Sequence, residues 1–347
     1  MRLQRLVQRP RAVLYGVYLD DGSQLPRVLA KVRRGWPGDD GAERGGTRPR
    51  LASGSLPPSE STALEYAGLR AIETMFGGAD PGFSVVRPLH HLVHEDTILM
   101  EYVDAPTLRD RLLAESRLSP QHVLSRHRST EEAWWKAGAW LHRFQREMPR
   151  QELPARQPTR HDVVHQFLAY DEFLTTRLGR RALGDVARRG AALAEQLLPE
   201  RLPSAVGHGD YAPRNMFLDR AGRLTVFDPM PRWVVPRHED LSRLLVAIRL
   251  LGAQLHTRGA AYSRGGLDRR ERAVIEGYRA EDRLWLPELR CHQLLITLDK
   301  WSAAVDSAPA GWRGRLRAAS VEWASGFLRR ESRRLLELIE SDSARTT

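Results

Sequence analysis

A chain of 347 residues has room for two lobes with a core in each, and its 28% charged and 41% hydrophobic residues suit a globular enzyme and exclude a wholly disordered chain. No apolar run approaches bilayer length, the basic start Met1–Arg11 lacks the apolar stretch of a secretory signal, and the single cysteine, Cys291, excludes an internal disulfide and a Cys-based zinc cluster, so a cytoplasmic location is expected. The net charge of +11 would ordinarily suggest nucleic acid, but only three of the 54 basic residues are lysines and no recognition motif accompanies them, so the excess reads as compositional bias and no nucleic-acid partner is expected.

In chain order, Ala12–Leu19 and Leu25–Val32 are rich in Val, Leu and Tyr and flank the turn Asp20-Asp21-Gly22, which predicts a β-hairpin. Residues 33–59 carry many Gly and Pro and few apolar side chains, the composition of a mobile insertion with nothing to dock it. Ser59 can cap a helix whose stripe Leu64, Gly68, Ala71, Ile72 and Met75 follows the 3.6-residue period and which Gly77 and Gly78 end. Val85–Val93 and Thr97–Val103, parted by His94-Glu95-Asp96, are two further strands.

Beyond Ala105 the character changes. Thr107-Leu108-Arg109-Asp110 has the form of a capping box, and helical patterns follow at 130–147, 161–176 and 183–198. Short β-type segments, Met216–Leu218 and Leu224–Phe227, interrupt them around the turn Asp219–Gly222. Helices then resume to the end, where Arg329, Arg330, Arg333 and Arg334 crowd the last one; a peripheral membrane contact there competes with a plain solvated face, which is the favoured reading.

Rare residues in a biased composition mark places where the common substitute does not serve. Lys31, in the second strand, is one of three lysines, and Asn215 is the sole asparagine. Asn215 closes the stretch His208-Gly209-Asp210-Tyr211-Ala212-Pro213-Arg214-Asn215, and Asp228 follows Val226-Phe227 eighteen positions after Asp210. Phosphoryl transfer asks for a carboxylate that orients and deprotonates the attacking hydroxyl, and for oxygen ligands to a hard divalent ion on the nucleotide phosphates. The types and spacings present satisfy both requirements.

This pattern resembles the aminoglycoside phosphotransferase and choline-kinase-like family, relatives of the protein kinases, in its His-Gly-Asp loop, the Asn five positions on, the second Asp after a hydrophobic pair, and Asp240 in Glu239-Asp240-Leu241. The resemblance implies an α+β, two-lobed protein-kinase-like fold, with a β-rich nucleotide-binding lobe over 1–103 and a helical lobe over 104–347. It implies ATP and Mg2+, with Asp210 as catalytic base, Asn215 and Asp228 as metal ligands, His208 holding the loop together and Asp240 bracing it. Lys31 would pair the nucleotide phosphates, held by Glu65, for which Glu60 and Glu73 compete. Backbone groups at Glu101 and Val103 would hold adenine. The expected reaction is transfer of the γ-phosphate to a hydroxyl of a small, sugar-like or other metabolite.

The pattern departs from the family in having no Gly-rich phosphate loop; Gln8-Arg9-Pro10-Arg11 is the candidate in its place, after a strand at the N-terminus, and Ala212 and Pro229 replace the usual residues. A protein Ser/Thr kinase is the alternative, without an activation-segment signature after Asp228, and a noncatalytic nucleotide-binding scaffold is another, against which all three polar groups of the reaction are present. From Leu241 onward basic residues outnumber acidic ones, 19 to 13, so a neutral or anionic acceptor is expected in preference to a polycationic aminoglycoside.

Overall fold

A computed structural model describes residues 1–20, 22–35, 48–51, 56–78, 80–118, 131–150, 153–279, 285–306 and 312–345, the side chains of 182 and 312–321 excepted. Asp21 of the predicted turn, and 36–47 and 52–55 of the predicted insertion, lie outside the described residues.

Strands β1 (Arg2–Arg9), β2 (Ala12–Tyr18) and β3 (Val28–Arg33) run antiparallel, followed by helix α1 (Pro58–Phe76), strand β4 (Phe83–Ser84), and the antiparallel pair β5 (Pro88–Leu92) and β6 (Thr97–Glu101). These strands, β4 excepted, form one sheet in the order β1-β2-β3-β6-β5, with Lys31 of β3 facing Leu14 and Ile98 in register. The hairpin is where the alternating pattern put it, although β1, exposed along its whole length, carries no burial signal of its own. Helix α1 packs on the sheet through Leu69, which joins Val86, Ile98 and Met100 in a small core.

Two expectations need correction. Helix α1 begins at Pro58 with Pro57 at its N-cap and no side-chain cap, so Ser59 lies in the first turn; the fixed φ of proline suits the first helical position without a capping hydroxyl. The insertion is also narrower and less free than its composition suggested. Arg33 is the last residue of β3, and within the insertion Leu51 is buried among helical residues while Arg48 Nη1 donates to the backbone and side chain of Asp299 at 3.1 and 3.2 Å. Among the described residues a single leucine and a single arginine dock this segment, too few to register as a periodic pattern.

The remaining elements are mainly helical. Helices α2 (Leu108–Ala114), α3 (Glu131–Glu147), α4 (Arg160–Leu178), α5 (Arg180–Leu183) and α6 (Val186–Leu197) lead to strand β7 (Ser204–Val206). The hairpin β8 (Met216–Leu218) and β9 (Leu224–Val226) and strand β10 (Val234–Pro236) come next. Helices α7 (Glu239–Arg249), α8 (Gly252–His256), α9 (Arg264–Arg279), α10 (Leu286–Asp306) and α11 (Trp312–Ala344) complete the chain. The predicted capping box forms, with Thr107 Oγ1 accepting from the Asp110 amide at 3.1 Å and Asp110 Oδ2 accepting from the Thr107 amide at 3.2 Å.

One core gathers Trp134 and Trp140 of α3, Leu241 and Leu245 of α7 and Val274 of α9 beneath Tyr211, Met216 and Val226, so the β8–β9 hairpin stands on a rigid base. A second core lies among α4, α6, α10 and α11. Near both, Glu271 of α9 is buried against Arg249, 2.5 Å away, and Arg290, and these guanidiniums outweigh the effect of burial and hold its carboxyl down at about 2.

Among the described residues no helix is long and apolar enough to cross a membrane. In the arginine-rich stretch of α11, Arg329 donates to the Arg181 carbonyl at 3.4 Å, Arg330 to the Arg258 carbonyl at 2.8 Å and Arg334 to Glu331 at 2.9 Å, so at least three of its four cations are engaged within the chain.

Candidate active site

The loop between β7 and β8 carries the His-Gly-Asp sequence, and its shape follows from a few contacts. Gly209 has a φ of +85°, and a Cβ there would lie 2.7 Å from the Met230 carbonyl, so only glycine fits. His208 is fully buried, stacked edge-on to Trp140 and Tyr211, and burial pushes its imidazole down to about 4, so it is neutral near pH 7. Its backbone amide donates to Asp240 Oδ2 at 2.5 Å, which ties the loop to the first turn of α7. Burial, then the neighbouring Glu239, raise the Asp240 carboxyl to about 6. The arrangement gives His208 and Asp240 loop-holding positions.

Asp210 is partly exposed above this base, and Arg214 donates to both of its carboxylate oxygens, at 2.5 and 2.7 Å. Asn215 is fully buried and donates through Nδ2 to the Asp210 carbonyl and to Asp210 Oδ2, both at 2.9 Å. The register Met216↔Val226 places Asn215 opposite Phe227, whose amide donates to the Asn215 carbonyl at 3.1 Å, with Asp228 next in the chain. The β8–β9 hairpin thus brings Asp210, Asn215 and Asp228 to one end of itself. Asp228 has a φ of +61°, a left-handed conformation unusual for a residue with a Cβ. The backbone after it is pressed onto α1, where a Cβ at Gly68 would meet Pro229 at 3.0 Å.

From the sheet side, Lys31 Nζ donates to Glu65 Oε1 at 2.7 Å and to Asp228 Oδ1 at 2.5 Å, so strand, helix and loop meet at one ammonium group. Lys31 and Glu65 are 7% and 1% exposed, so the pair is buried, and the competitors Glu60 and Glu73 are not part of it. Burial alone would raise the Asp228 carboxyl, but Lys31 and Arg33 outweigh it and hold it well below the usual carboxylate range.

Arg33 escaped the sequence reading. Its Nη2 donates to Glu65 Oε2 at 2.5 Å and approaches Asp228 Oδ1 at 3.5 Å. The signal was available in the strand period, since a residue two positions from Lys31 shares its face. Beside this cluster opens a cavity of about 430 Å3 lined by Arg9, Pro10, Arg11, Ala12, Lys31, Arg33 and Asp228, with the β1–β2 turn in the position of the absent glycine loop. Four cations and one carboxylate face a space of ligand size, a lining suited to a chain of phosphates.

At the end of β6 the Glu101 side chain is exposed and its amide donates to the Arg87 carbonyl at 2.9 Å, while Val103 is half-buried against the small core of Leu69, Val86, Ile98 and Met100. Glu101 ends β6 and Val103 lies between it and α2.

A divalent metal fits the loop by a separate observation: Asn215 Oδ1 is buried without a hydrogen-bond partner. An orphaned buried amide oxygen is costly, and its chemistry suits a hard divalent cation. Among the described residues no group of three His, Cys, Asp or Glu could hold a metal unaided, in keeping with an ion that takes further oxygens from phosphates.

Known proteins share this fold. Over the whole fold the chain is similar to a choline/ethanolamine kinase family protein from Mesorhizobium loti, at 12% identity with a TM-score of 0.55, covering 98% of this chain and 92% of that one. It is similar to macrolide 2′-phosphotransferase type I at 13% identity, TM-score 0.52, covering 92% and 89%. A third likeness, to an amicoumacin kinase in complex with AMP-PNP and Ca2+, has 12% identity, TM-score 0.51, and covers 93% and 88%. No curated protein sequence matches the chain. The fold is therefore the α+β protein-kinase-like one, and since residues 55–275 match the phosphotransferase enzyme family, the chain belongs to that family of kinases, which phosphorylate hydroxyl groups of small molecules.

Proposed function

We propose that this phosphotransferase moves the γ-phosphoryl group of ATP, bound with Mg2+, to a hydroxyl of a small-molecule acceptor, with Asp210 as the catalytic base. The observation that carries the proposal is Asn215, whose Nδ2 donates to the Asp210 carboxylate at 2.9 Å while its Oδ1 is left buried and unpaired. One side chain therefore joins the position of the base to the position of a metal ligand.

In this reading residues 1–103 bind the nucleotide and 104–347 carry the catalytic loop and the acceptor. Lys31 and Arg33, steadied by Glu65, and Arg9 and Arg11 of the β1–β2 turn hold the phosphates by charge-assisted hydrogen bonds. Backbone groups at Glu101 and Val103 hold the adenine. Asn215 and Asp228 hold Mg2+, which when bound neutralises charge developing on the phosphate oxygens.

Asp210 orients the acceptor hydroxyl and takes its proton. The hydroxyl oxygen forms the new bond to the γ-phosphorus as the bond from that phosphorus to the bridging oxygen breaks, and the electron pair leaves with ADP. Arg214 holds both oxygens of Asp210 in this structure, so it positions the carboxylate and moves aside, or shares it, when a hydroxyl arrives. His208 and Asp240 act only through the loop.

The test is ADP release from ATP on addition of hydroxylated metabolites. Release that depends on the acceptor, stops on chelation of the metal and is lost in Asp210→Asn supports the proposal; the same release in that variant as in the parent overturns it.

A further inference from the structure

Behind the catalytic loop the helices enclose a second cavity, of about 460 Å3. One wall is Ala212–Arg214 of the loop itself, so the cavity reaches the residues next to Asp210. Most of the rest is apolar, with Val246, Leu250 and Leu255 on one side and Leu328 on another. Among the described residues three charged side chains line it, Arg109, Arg214 and Lys300, all of them cations, and no carboxylate does.

The three cations are not equivalent. Arg214 is engaged by both oxygens of Asp210. The carboxylate adjacent to Lys300, Asp299, is turned to the Tyr170 hydroxyl at 2.8 Å and to Arg48 at 3.2 Å, away from the lysine. Among the described residues neither Lys300 nor Arg109 has a carboxylate within 4.0 Å. Both side chains are exposed, so solvent as well as the cavity meets their charge. Lysine is itself scarce in this chain, one of three among 54 basic residues.

We propose that the acceptor is an amphipathic alcohol bearing an oxyanion, its apolar body against Val246, Leu250, Leu255 and Leu328, its anionic group between Arg109 and Lys300, and its hydroxyl presented to Asp210. This rests on the phosphotransferase reading above and narrows its acceptor. An apolar cavity with two uncompensated cations favours such a ligand twice, by area removed from water and by charge, and disfavours a polycationic aminoglycoside by the same charge.

A series of ten-carbon alcohols separates the possibilities: 10-hydroxydecanoate, decane-1,10-diol monophosphate, decane-1,10-diol, and 10-aminodecan-1-ol. In ADP release, kcat/KM is expected to be about tenfold higher or more for the two anions than for the neutral diol, the size one well-placed charge supplies. The amine should be the poorest, and the anion preference should shrink as salt rises from 0.05 to about 0.5 M. In the double variant Arg109→Gln, Lys300→Gln the preference should fall below about threefold through KM, with the melting temperature confirming a folded chain.

Carboxylate favoured over phosphate, or the reverse, tells which oxyanion is taken. Equal kcat/KM for anions and diol, or a best result with the amine, overturns the proposal. Calorimetric binding of the same four compounds decides it apart from catalysis: if none of them releases ADP, the phosphotransferase reading fails for them, while a tenfold lower Kd for the anions still supports the site and equal Kd values refute it.

Discussion

The cavity beside the sheet and the cavity behind the catalytic loop are both lined by cations, and they treat them in opposite ways. In the first, two of the four lining cations, Lys31 and Arg33, are shared between Glu65 and Asp228, so this inner pair is balanced by two carboxylates without any ligand. In the second, Arg109 and Lys300 face a mainly apolar space in which, among the described residues, Arg214 is the one further charged group and no carboxylate lines the wall. Balanced charge keeps an apparatus in place whatever is bound; unbalanced charge selects what will bind. A common reaction and a variable acceptor call for this division, with the fixed part built from residues whose spacing is rigid and the selective part from whatever the surrounding helices supply.

The largest effect expected on the fixed part is that of Asp210→Asn, which removes the base and keeps its shape. Steady-state ADP release should fall by about 10^2 to 10^4, with an unchanged melting temperature because Asp210 is partly exposed and belongs to no core. A drop of less than about tenfold would mean that positioning alone supports the reaction, and the base would have to be sought elsewhere.

The contrast between the two cavities is sharpened by stability measurements. Glu65→Ala leaves Lys31 and Arg33 buried with one carboxylate between them, and urea unfolding should show a loss of about 3–5 kcal/mol. Lys300→Ala, which removes a cation without a carboxylate partner, should change stability by no more than about 0.5 kcal/mol. Comparable losses in the two variants would show that the second cavity is a structural ion site after all.

A pH test distinguishes both cavities from the buried network around Glu271. The folded-state carboxyl there, at about 2, lies below its ordinary 4.5, so its contribution is present above about pH 4.5 and is lost as pH falls from there towards 2. The loss should be on the order of a few kcal/mol. Glu271→Gln should flatten the acid limb of the stability curve, read as melting temperature between pH 2.5 and 6. An acid limb as steep as the parent's would place the responsible carboxylates elsewhere.

A further expected effect concerns the segment between β3 and α1. Leu51→Ala should cost about 2 kcal/mol, since Leu51 is 4% exposed in a helical core, and deletion of 48–51 should cost more than deletion of 36–47 alone. Equal tolerance of the two deletions would return the whole insertion to the status its composition suggested.

How much of this the sequence carried depends on distance along the chain. Asp210, Asn215 and Asp228 could be read together because one loop and one hairpin hold them, so their spacing is itself the geometry. Lys31 and Glu65 were legible through strand position and helix face, although only the structure separates Glu65 from Glu60 and Glu73. Arg33 was hidden by drawing the edge of the insertion one residue early. Leu51 and Arg48 left no pattern, because a lone docking residue has no period. The second cavity was the least legible: Arg109, Arg214 and Lys300 stand on α2, the catalytic loop and α10, and nothing in the sequence says that these places meet. The positive excess after Leu241 hinted at its sign but not at its apolar body, which Val246, Leu250 and Leu328 contribute from α7, the residue after it, and α11.

The four-membered charge cluster of Lys31, Arg33, Glu65 and Asp228 has an energetic corollary. Because each charge already has an opposite charge beside it, loading the cleft is an exchange reaction: Lys31 and Arg33 give up part of their hold on Asp228 as they turn to phosphate oxygens, and the number of opposite-charge contacts stays nearly constant. Exchange of this kind yields little net enthalpy for the contacts it creates, and it spares the empty protein any unpaired buried ion. The measured affinity for nucleotide is then set by the difference between two well-paired states, a quantity that a substitution at Glu65, which never touches the ligand, can tune in either direction.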